Sequence, residues 1–396
     1  MHKSRLFVGA TVLTLIAGVA SAQTVKVGII NTFSGPDAQQ GDMLERGLQL
    51  YYKLHQKDLP AGVSIQLIER DDTGLNPETA KRLAQELVTR DHVNVLTGFV
   101  WSPNFMSVAP VATEAKVPTI SMNAAALPAV GMSPYMVRTS FTLTQQAYPL
   151  GLWAAKHGFK KAFVANTDYA PGNEGSSAFS KGFKEGGGDV LGQVKFPPPP
   201  TTPDFAPYLQ KVKDAKPDVL YIFVPAGAQA TSVMKAARDL DLKGAGVSIV
   251  STEDLVPDEE LKNIGDQAVG LVTSGIYSAD ATRPQNKAFV AAYYKEYGTA
   301  MAPDFETADA FDGMKMIFDL VKESKGKIDG PAAMDFISHW KDPSSPKGEV
   351  MIDPATRQIV EHVYMRKVEQ QGDKLVDTET DDLGLTTALG QPYTAK

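Results

Sequence analysis

The segment Asn94–Asn104, with the sequence Asn-Val-Leu-Thr-Gly-Phe-Val-Trp-Ser-Pro-Asn, indicates how this chain folds. The mostly apolar run Val93–Leu96 leads to Gly98, and a short loop then reaches Ser102 and Pro103. Serine at an N-cap with proline at the first helical position is a strong helix-start signal. We therefore predict a strand, a glycine turn and a helix, where backbone N–H groups and the helix dipole can bind an anion. An ordinary α/β domain shows the same pattern, so the remaining sequence has to decide.

Length and composition describe a folded protein with room for two domains. The 396 residues are 43% hydrophobic and 21% charged, which is typical of a globular chain and not of a disordered one. A net charge of −7 without a long basic run describes a poor nucleic-acid binder, so we expect no nucleic-acid partner. The sequence has no cysteine, so it can form neither disulfides nor thiolate metal sites.

The first 22 residues differ from the rest of the chain. Lys3 and Arg5 give a basic start, Leu6–Val19 is almost continuously apolar, and Ala20–Ala22 reads Ala-Ser-Ala. This pattern predicts a secretory signal peptide that is removed after about Ala22, with a retained membrane anchor as the alternative. We therefore expect an exported mature chain.

Strand-like and helix-like segments alternate along the mature sequence, which predicts parallel βαβ units. The predicted strands are Val25–Ile30, Val63–Glu69, Val93–Leu96, Pro118–Ser121, Lys161–Asn166, Val190–Phe196, Val219–Val224, Val247–Ser251 and Val269–Thr273. They form two α/β halves with a boundary near Thr139–Thr142. Long late helices are expected to pack back on the first half. A β-hairpin with its turn at Asp353-Pro354 follows, and a polar, peripheral tail is expected from Asp373 onward.

Motifs of catalysis and cofactor binding do not occur in the sequence. It contains no Gly-x-Gly-x-x-Gly, no phosphate loop, no His-Glu-x-x-His and no Gly-x-Ser-x-Gly. The histidines are scattered singly, without an accompanying nucleophile or carboxylate motif. We therefore predict that the protein is not an enzyme and carries neither a cofactor nor a metal.

Polar residues gather instead where predicted strands end, which is where open α/β sheets bind ligands. In the first half these are Asn31 with the Ser34-Gly35 turn, Ser102, and the loop Asn123–Ala126; in the second half they are Asp168, Tyr169, Pro225–Gly227 and Glu253. Each alone could be an ordinary loop residue. Together they suggest a cleft between two lobes.

The mature chain resembles periplasmic substrate-binding proteins of branched-chain amino-acid-type ABC importers, which are Leu/Ile/Val-binding-like. The resemblance is carried by Val27-Gly28-Ile29, Ser34-Gly35-Pro36, Gly41, Gly47, Asp91-x-Val93 to Gly98, Ser102, Val117-Pro118-x-Ile120-Ser121, Asp204-Phe205, Pro217-Asp218 and Phe311-Asp312. It implies an α/β, two-lobed type I periplasmic binding protein fold. Each lobe would be a doubly wound, mostly parallel sheet.

The resemblance also implies three crossovers between the lobes, at Thr139–Thr142, Thr273–Tyr277 and Ser345–Gly348. The expected N-terminal lobe comprises residues 23–140 and 276–346. The expected C-terminal lobe comprises residues 141–275 and 347–372, and 373–396 would be the tail. The implied partners are a membrane permease and its ATPase, and the protein is expected to be a periplasmic monomer.

Functional roles follow from the resemblance residue by residue. Ser102 matches the serine that binds the ligand carboxylate, and because Pro103 has no N–H, Ser102 and Asn104 would supply the donors. Glu253 matches the acid that receives a ligand ammonium, and Tyr169 an aromatic that covers the ligand. The candidate ligand-binding residues are therefore Asp37, Trp101, Ser102, Asn104, Asn123, Ala124, Ala125, Tyr169, Ala226 and Glu253.

Two departures from the amino-acid-binding pattern bear on the ligand. Ala124-Ala125 stands where these proteins usually have Ala-Thr, and Asp37 stands where an aromatic residue is expected. A small carboxylate remains the expected ligand. The Ser102–Glu253 pair favours an amino acid, whereas the lost hydroxyl favours an aromatic carboxylate. A ligand-sensing subunit of a signalling receptor and a secreted enzyme on the same fold are further alternatives.

Overall fold

The computed structural model describes residues 23–258 and 260–394. The predicted signal peptide, residues 1–22, lies outside the described residues. The strands are β1 Gln23–Asn31, β2 Val63–Asp71, β3 Val95–Gly98, β4 Thr119–Ser121, β5 Met136–Arg138, β6 Lys161–Thr167, β7 Asp189–Phe196, β8 Val219–Phe223, β9 Ser248–Thr252, β10 Val272–Gly275, β11 Lys341–Asp342, β12 Val350–Ile352, β13 Ile359–Gln371 and β14 Lys374–Thr386.

The helices connect these strands. They are α1 Ala38–His55, α2 Pro77–Thr89, α3 Ser102–Ser107, α4 Ala109–Ala115, α5 Leu143–Lys156, α6 Ala170–Glu185, α7 Ala206–Ala215, α8 Ala228–Asp239, α9 Leu261–Ile264, α10 Pro284–Tyr297, α11 Phe305–Ser324 and α12 Gly330–Ser338. Within the described ranges, none of them combines the length and apolarity needed to cross a bilayer.

Each half of the chain forms its own parallel sheet, and the two sheets have the same strand order. In the first lobe the order is β2-β1-β3-β4-β5, and every neighbouring pair is parallel. In the second lobe the order β7-β6-β8-β9-β10 repeats it, again with parallel pairs. Alternate residues of β1 serve opposite faces: Val27 and Ile29 enter one apolar core, and Ile30 enters another. Buried on both faces, these sheets confirm the predicted α/β fold.

Helix starts and close helix contacts follow from local sequence. The Asn76 side chain caps α2 by accepting a hydrogen bond from the Thr79 amide at 3.2 Å, as the Asn76-Pro77 pair predicts. α1 packs so closely on α11 that a Cβ at Gly47 would lie 2.0 Å from the Thr307 carbonyl oxygen. Only glycine fits there, and the late helix α11 thereby completes the first lobe, as expected.

The prediction of a peripheral tail from Asp373 onward is wrong for most of that segment. Residues 374–386 form β14, which pairs antiparallel with β13 and extends the second sheet. Asp377 of β14 is buried and lies 2.8 Å from the Arg366 guanidinium of β13. Because a buried guanidinium needs a carboxylate partner, this polar segment is drawn into the sheet.

Three connections join the lobes. Residues 139–142 lead from β5 to α5, and residues 276–283 lead from β10 to α10. The third passage lies between α12, whose Ala333 and Ile337 pack in the first-lobe core, and β13, which pairs with β10 in the second sheet. The predicted third crossover at Ser345–Gly348 falls between these two elements and stays a prediction.

A fully buried ion cluster lies beside the first and third connections. The Lys347 ammonium donates to Asp309 at 2.6 Å, to Glu361 at 2.7 Å and to the Thr139 carbonyl at 3.0 Å. Asp312 lies 3.4 Å from the same nitrogen. Burial alone lowers the pKa of Lys347, but the three carboxylates together raise it well above its usual range.

Replacing the central cation should destabilise the protein strongly. Lys347→Met leaves three buried carboxyls without a cation, and we expect a loss of about 3–5 kcal/mol in the free energy of unfolding. The loss should be smaller at low pH, because the carboxyls can then take up protons. Urea unfolding measures both effects, with exposed Lys341→Met as the control. Equal stability of the two variants would contradict the structure.

Candidate functional site

A cavity lies where the carboxyl ends of the two parallel sheets face each other. Both sheets reverse their strand order there, between β1 and β3 and between β6 and β8, which is where such sheets bind ligands. The cavity is lined by Gln40, Val100, Trp101, Ser102, Asn123, Ala125, Phe141, Leu143, Tyr169, Pro171, Pro225, Ala226, Asp254 and Glu306. Six of the ten predicted ligand-binding residues are among them: Trp101, Ser102, Asn123, Ala125, Tyr169 and Ala226.

A strained turn after β3 brings the first-lobe residues to the cavity. Gly98 has φ +101°, and a Cβ there would lie 2.4 Å from the Ile30 carbonyl oxygen. Phe99 also has a positive φ, +69°, which is uncommon for a bulky residue. Its amide donates to Ile30 at 2.7 Å, and its carbonyl accepts from Ala124 at 3.0 Å. These bonds hold the following residues, Val100–Ser102, against the cavity.

Ser102 has a different role at its helix from the predicted N-cap. Helix α3 begins at Ser102 itself, and Trp101 is the N-cap without a side-chain capping bond. The Ser102 hydroxyl oxygen accepts a hydrogen bond from the Ala126 amide at 3.0 Å. This contact ties α3 to the loop after β4 and leaves the hydroxyl proton free to donate to a ligand.

The predicted ligand-binding residue Asn104 does not line the cavity. Its amide nitrogen donates to Asp72 at 2.7 Å and to the Gly74 carbonyl at 2.9 Å, and its oxygen accepts from the Asn76 amide at 2.9 Å. Two positions along a helix turn the side chain by about 200°, so Ser102 and Asn104 face opposite ways. Asn104 therefore braces the loop from Asp72 to Asn76.

Glu253 also lies outside the cavity, and its neighbour Asp254 lines it. Glu253 is fully buried and accepts hydrogen bonds from Gln146 at 2.5 Å and from the Ile276 amide at 3.0 Å. The Arg366 guanidinium lies 3.4 Å away. The two acids belong to one 3₁₀ turn, residues 253–255, in which successive side chains point in different directions. The predicted ammonium acceptor is therefore committed to internal contacts.

Two further predicted residues do not line the cavity. Ala124 lies beneath the loop, where its amide bonds to Phe99, and Asp37 is half-buried before α1. One turn after Asp37, Gln40 reaches across to the second lobe and donates to the Ala226 carbonyl at 2.5 Å. The sequence carries no signal for this contact, because it depends on how the lobes meet.

Two acids missed by sequence reasoning, Asp254 and Glu306, dominate the electrostatics of the cavity. Burial raises the pKa of Asp254 to about 7, and burial together with the nearby carboxylates raises that of Glu306 well above its usual range. Asn123 donates to one Glu306 carboxyl oxygen at 3.3 Å, while the other has no hydrogen-bond partner among the described residues. The sequence predicts an amphipathic helix here, but nothing in its pattern indicates that Glu306 reaches the cavity.

Contacts between the lobes show that the structure is closed over the cavity. The Gln40–Ala226 bond is one, and the Leu127 amide donates to Glu174 of the second lobe at 2.7 Å. The ring of Trp101 meets that of Tyr169 edge to face, with centroids 6.4 Å apart. Such an arrangement can enclose a small ligand that touches both lobes.

Two α/β lobes that close over a cavity define a receptor for a small solute. The chain belongs to the periplasmic binding protein family, whose model matches residues 24–373. Fold and family are those of the solute-binding proteins of transport systems, not of enzymes.

Several known proteins are similar to the chain over nearly its whole length. The Leu/Ile/Val-binding protein homolog 6 of Brucella melitensis is 35% identical over 364 residues, 91% of this chain and 92% of that protein. A solute-binding protein of an ABC transporter from Rhodopseudomonas palustris BisB5, in complex with 3,4-dihydroxybenzoic acid, is 41% identical; the match covers 93% of this chain and 99% of that one, with a TM-score of 0.88. A counterpart from strain HaA2, in complex with p-hydroxybenzoic acid, is 37% identical, with coverages of 93% and 99% and a TM-score of 0.89.

The adjacent acids Glu253 and Asp254 should respond differently to truncation. Glu253→Ala removes internal hydrogen bonds and a partner of Arg366, so we expect a loss of about 3 kcal/mol in the free energy of unfolding. Asp254→Ala removes a buried acid that accepts one side-chain hydrogen bond, from Thr252, and should cost less than about 1 kcal/mol. Urea unfolding without ligand compares them, and a larger loss in Asp254→Ala would contradict the assignment.

Proposed function

We propose that this protein is the periplasmic receptor of an ABC importer and that its ligand is a small aromatic carboxylate of the hydroxybenzoate type. The main support for this proposal is the composition of the cavity wall. Trp101, Phe141 and Tyr169 contribute aromatic rings to it, and the predicted ammonium acceptor Glu253 is not part of it. The proteins from Rhodopseudomonas palustris that were solved with hydroxybenzoic acids support the same ligand class.

The aromatic walls suit a flat ring. Trp101 and Tyr169 come from opposite lobes, and Tyr169 stacks in turn on Phe223, with ring centroids 6.1 Å apart. Aromatic pairs prefer edge-to-face or offset arrangements at such distances. A benzoate ring between the two lobes would therefore gain contacts with both, and these contacts exist only in the closed form.

Hydrogen-bond donors for the ligand carboxylate come from the first lobe. The Ser102 hydroxyl keeps its proton available, because its oxygen accepts from Ala126. The Ala125 amide makes no hydrogen bond to another described residue, and the indole N–H of Trp101 has no partner there either. These groups line the cavity without a competing internal acceptor, so a carboxylate can bind to them.

Delivery of the ligand follows from closure. Only a ligand that binds the closed form better than the open form can shift the equilibrium between them. An aromatic acid held by Ser102 in one lobe and by Tyr169 in the other meets this condition. The closed receptor would then present its solute to a membrane permease driven by an ATPase. Export to the periplasm and a monomeric state stay predictions.

An amino acid is the second candidate, and one observation favours it. Asp254 and Glu306 line the cavity and could receive an ammonium group. Burial works against this role, because it raises the pKa of both carboxyls and so favours their neutral forms at neutral pH.

Isothermal titration calorimetry with two ligand panels tests the proposed function. We expect saturable heat from p-hydroxybenzoate, 3,4-dihydroxybenzoate or benzoate, and none from leucine, isoleucine or valine. Binding of the aliphatic amino acids with no heat from the aromatic acids would show that the second candidate is correct. No heat from either panel would reject both ligand classes.

Ser102→Ala should weaken p-hydroxybenzoate binding by about 1–3 kcal/mol, because a buried hydrogen bond to a charged group is lost. Ser107→Ala is a matched control on the same helix, since the Ser107 hydroxyl bonds to the Pro77 and Asn104 carbonyls away from the cavity. Calorimetry measures both affinities. Unchanged affinity in Ser102→Ala would remove Ser102 from the carboxylate site.

A further inference from the structure

The described lining of the cavity carries two carboxyl groups and no basic side chain. Asp254 comes from the second lobe and Glu306 from the first, and both are buried. An anionic ligand placed between two ionised carboxylates would put three negative charges into one enclosed space. Repulsion of this kind is strong where water is excluded, so the charges cannot all persist.

Among the described residues, no cation forms an ion pair with Glu306. The buried ammonium of Lys347 already binds Asp309 at 2.6 Å and Glu361 at 2.7 Å. The charged groups that raise the pKa of Glu306 most are carboxyls: Asp304 and Asp309 on or beside its own helix, and Glu253 and Asp254 on the facing 3₁₀ turn. Its one hydrogen bond to a described side chain is the weak 3.3 Å contact with Asn123.

The negative charge of an ionised Asp254 would be stabilised only slightly better than that of Glu306. The Asp254 carboxyl accepts from the Thr252 hydroxyl at 3.1 Å and from its own backbone N–H. Arg366 is the one guanidinium that acts on it, and that group lies between Asp377 at 2.8 Å and Glu253 at 3.4 Å. Asp37 on the first lobe and the hydroxyls of Tyr169 and Tyr221 are further titratable groups near this side of the cavity.

We propose that the receptor captures its carboxylate ligand together with a proton, which the Glu306–Asp254 pair holds in the closed cavity. The proton comes from solvent when the lobes close. A protonated carboxyl donates a hydrogen bond, so one of the two acids becomes a donor to the anion instead of a repelling charge. This inference rests on the proposed function, because it needs a ligand that is an anion and not a zwitterion.

The sign of the pH dependence follows from the closed state. Each carboxyl has a higher pKa in the closed complex than in the open, hydrated protein, so closure takes up protons at pH values between the two. At pH values where the ligand carboxyl is ionised, affinity is highest at the acid end and decreases as the pH rises, by up to about tenfold per pH unit for one proton. A ligand ammonium would need ionised carboxylates and would give the opposite sign.

Calorimetry in two buffers measures this proton directly. p-Hydroxybenzoate is titrated into the protein at about pH 7 in PIPES and in Tris, whose ionisation enthalpies differ widely, and the difference in observed heat gives the number of protons exchanged. We expect net uptake, and a dissociation constant that rises from pH 7 to pH 8.5.

Matched variants test which carboxyl group takes up the proton. Glu306→Gln keeps the shape and a donor but cannot titrate, so it should bind p-hydroxybenzoate with less proton uptake and a flatter pH profile. Asp254→Asn should reduce uptake in the same way, whereas the exposed control Glu114→Gln should leave it unchanged.

The possible failures are distinguishable. Absence of heat from every aromatic acid contradicts the proposed function. Binding of p-hydroxybenzoate without proton uptake, or with proton release, overturns this inference alone. Unchanged uptake in both Glu306→Gln and Asp254→Asn would also overturn it, by assigning the proton elsewhere.

Discussion

The buried ammonium of Lys347 sets the constraint on which this architecture depends. A charge without access to water needs compensating carboxylates, and here they come from α11 and β13, with a carbonyl from the first connection between the lobes. Segments far apart in the sequence therefore have to meet at one nitrogen atom. The same constraint bears on the cavity: Lys347 is engaged by these carboxylates, and no described cation pairs with Glu306.

The sequence predicted the parts of the fold that depend on local pattern. β-branched runs between amphipathic segments indicated the ten parallel strands except β5, and Asn76-Pro77 marked a helix start. β14 was missed because its residues read as a polar tail. It becomes a strand through partners that no local pattern reveals, namely the open edge of β13 and the guanidinium of Arg366.

For the candidate site, too, local sequence pattern predicted some residues and not others. Positions that follow a strand end, such as Trp101, Ser102 and Tyr169, could be found because parallel strands direct their carboxyl ends to one edge. Asn104 and Glu253 were expected in the cavity but lie outside its lining, because their side chains are rotated away from it within a helix and within a 3₁₀ turn. Gln40 and Glu306 were not proposed, because each reaches the cavity from a helix whose place depends on how the lobes pack.

The second sheet places its last strand at the end of the chain, and this has a consequence for the order of folding. Neither lobe is continuous in sequence: α11 covers α1 in the first lobe, and β13 with β14 extends the second. A chain that leaves the ribosome from its N-terminus therefore cannot complete either lobe until most of its length has been made. Long-range closure of this kind is slow. During synthesis the chain thus stays incompletely folded, a state in which a polypeptide can still be threaded through a narrow channel.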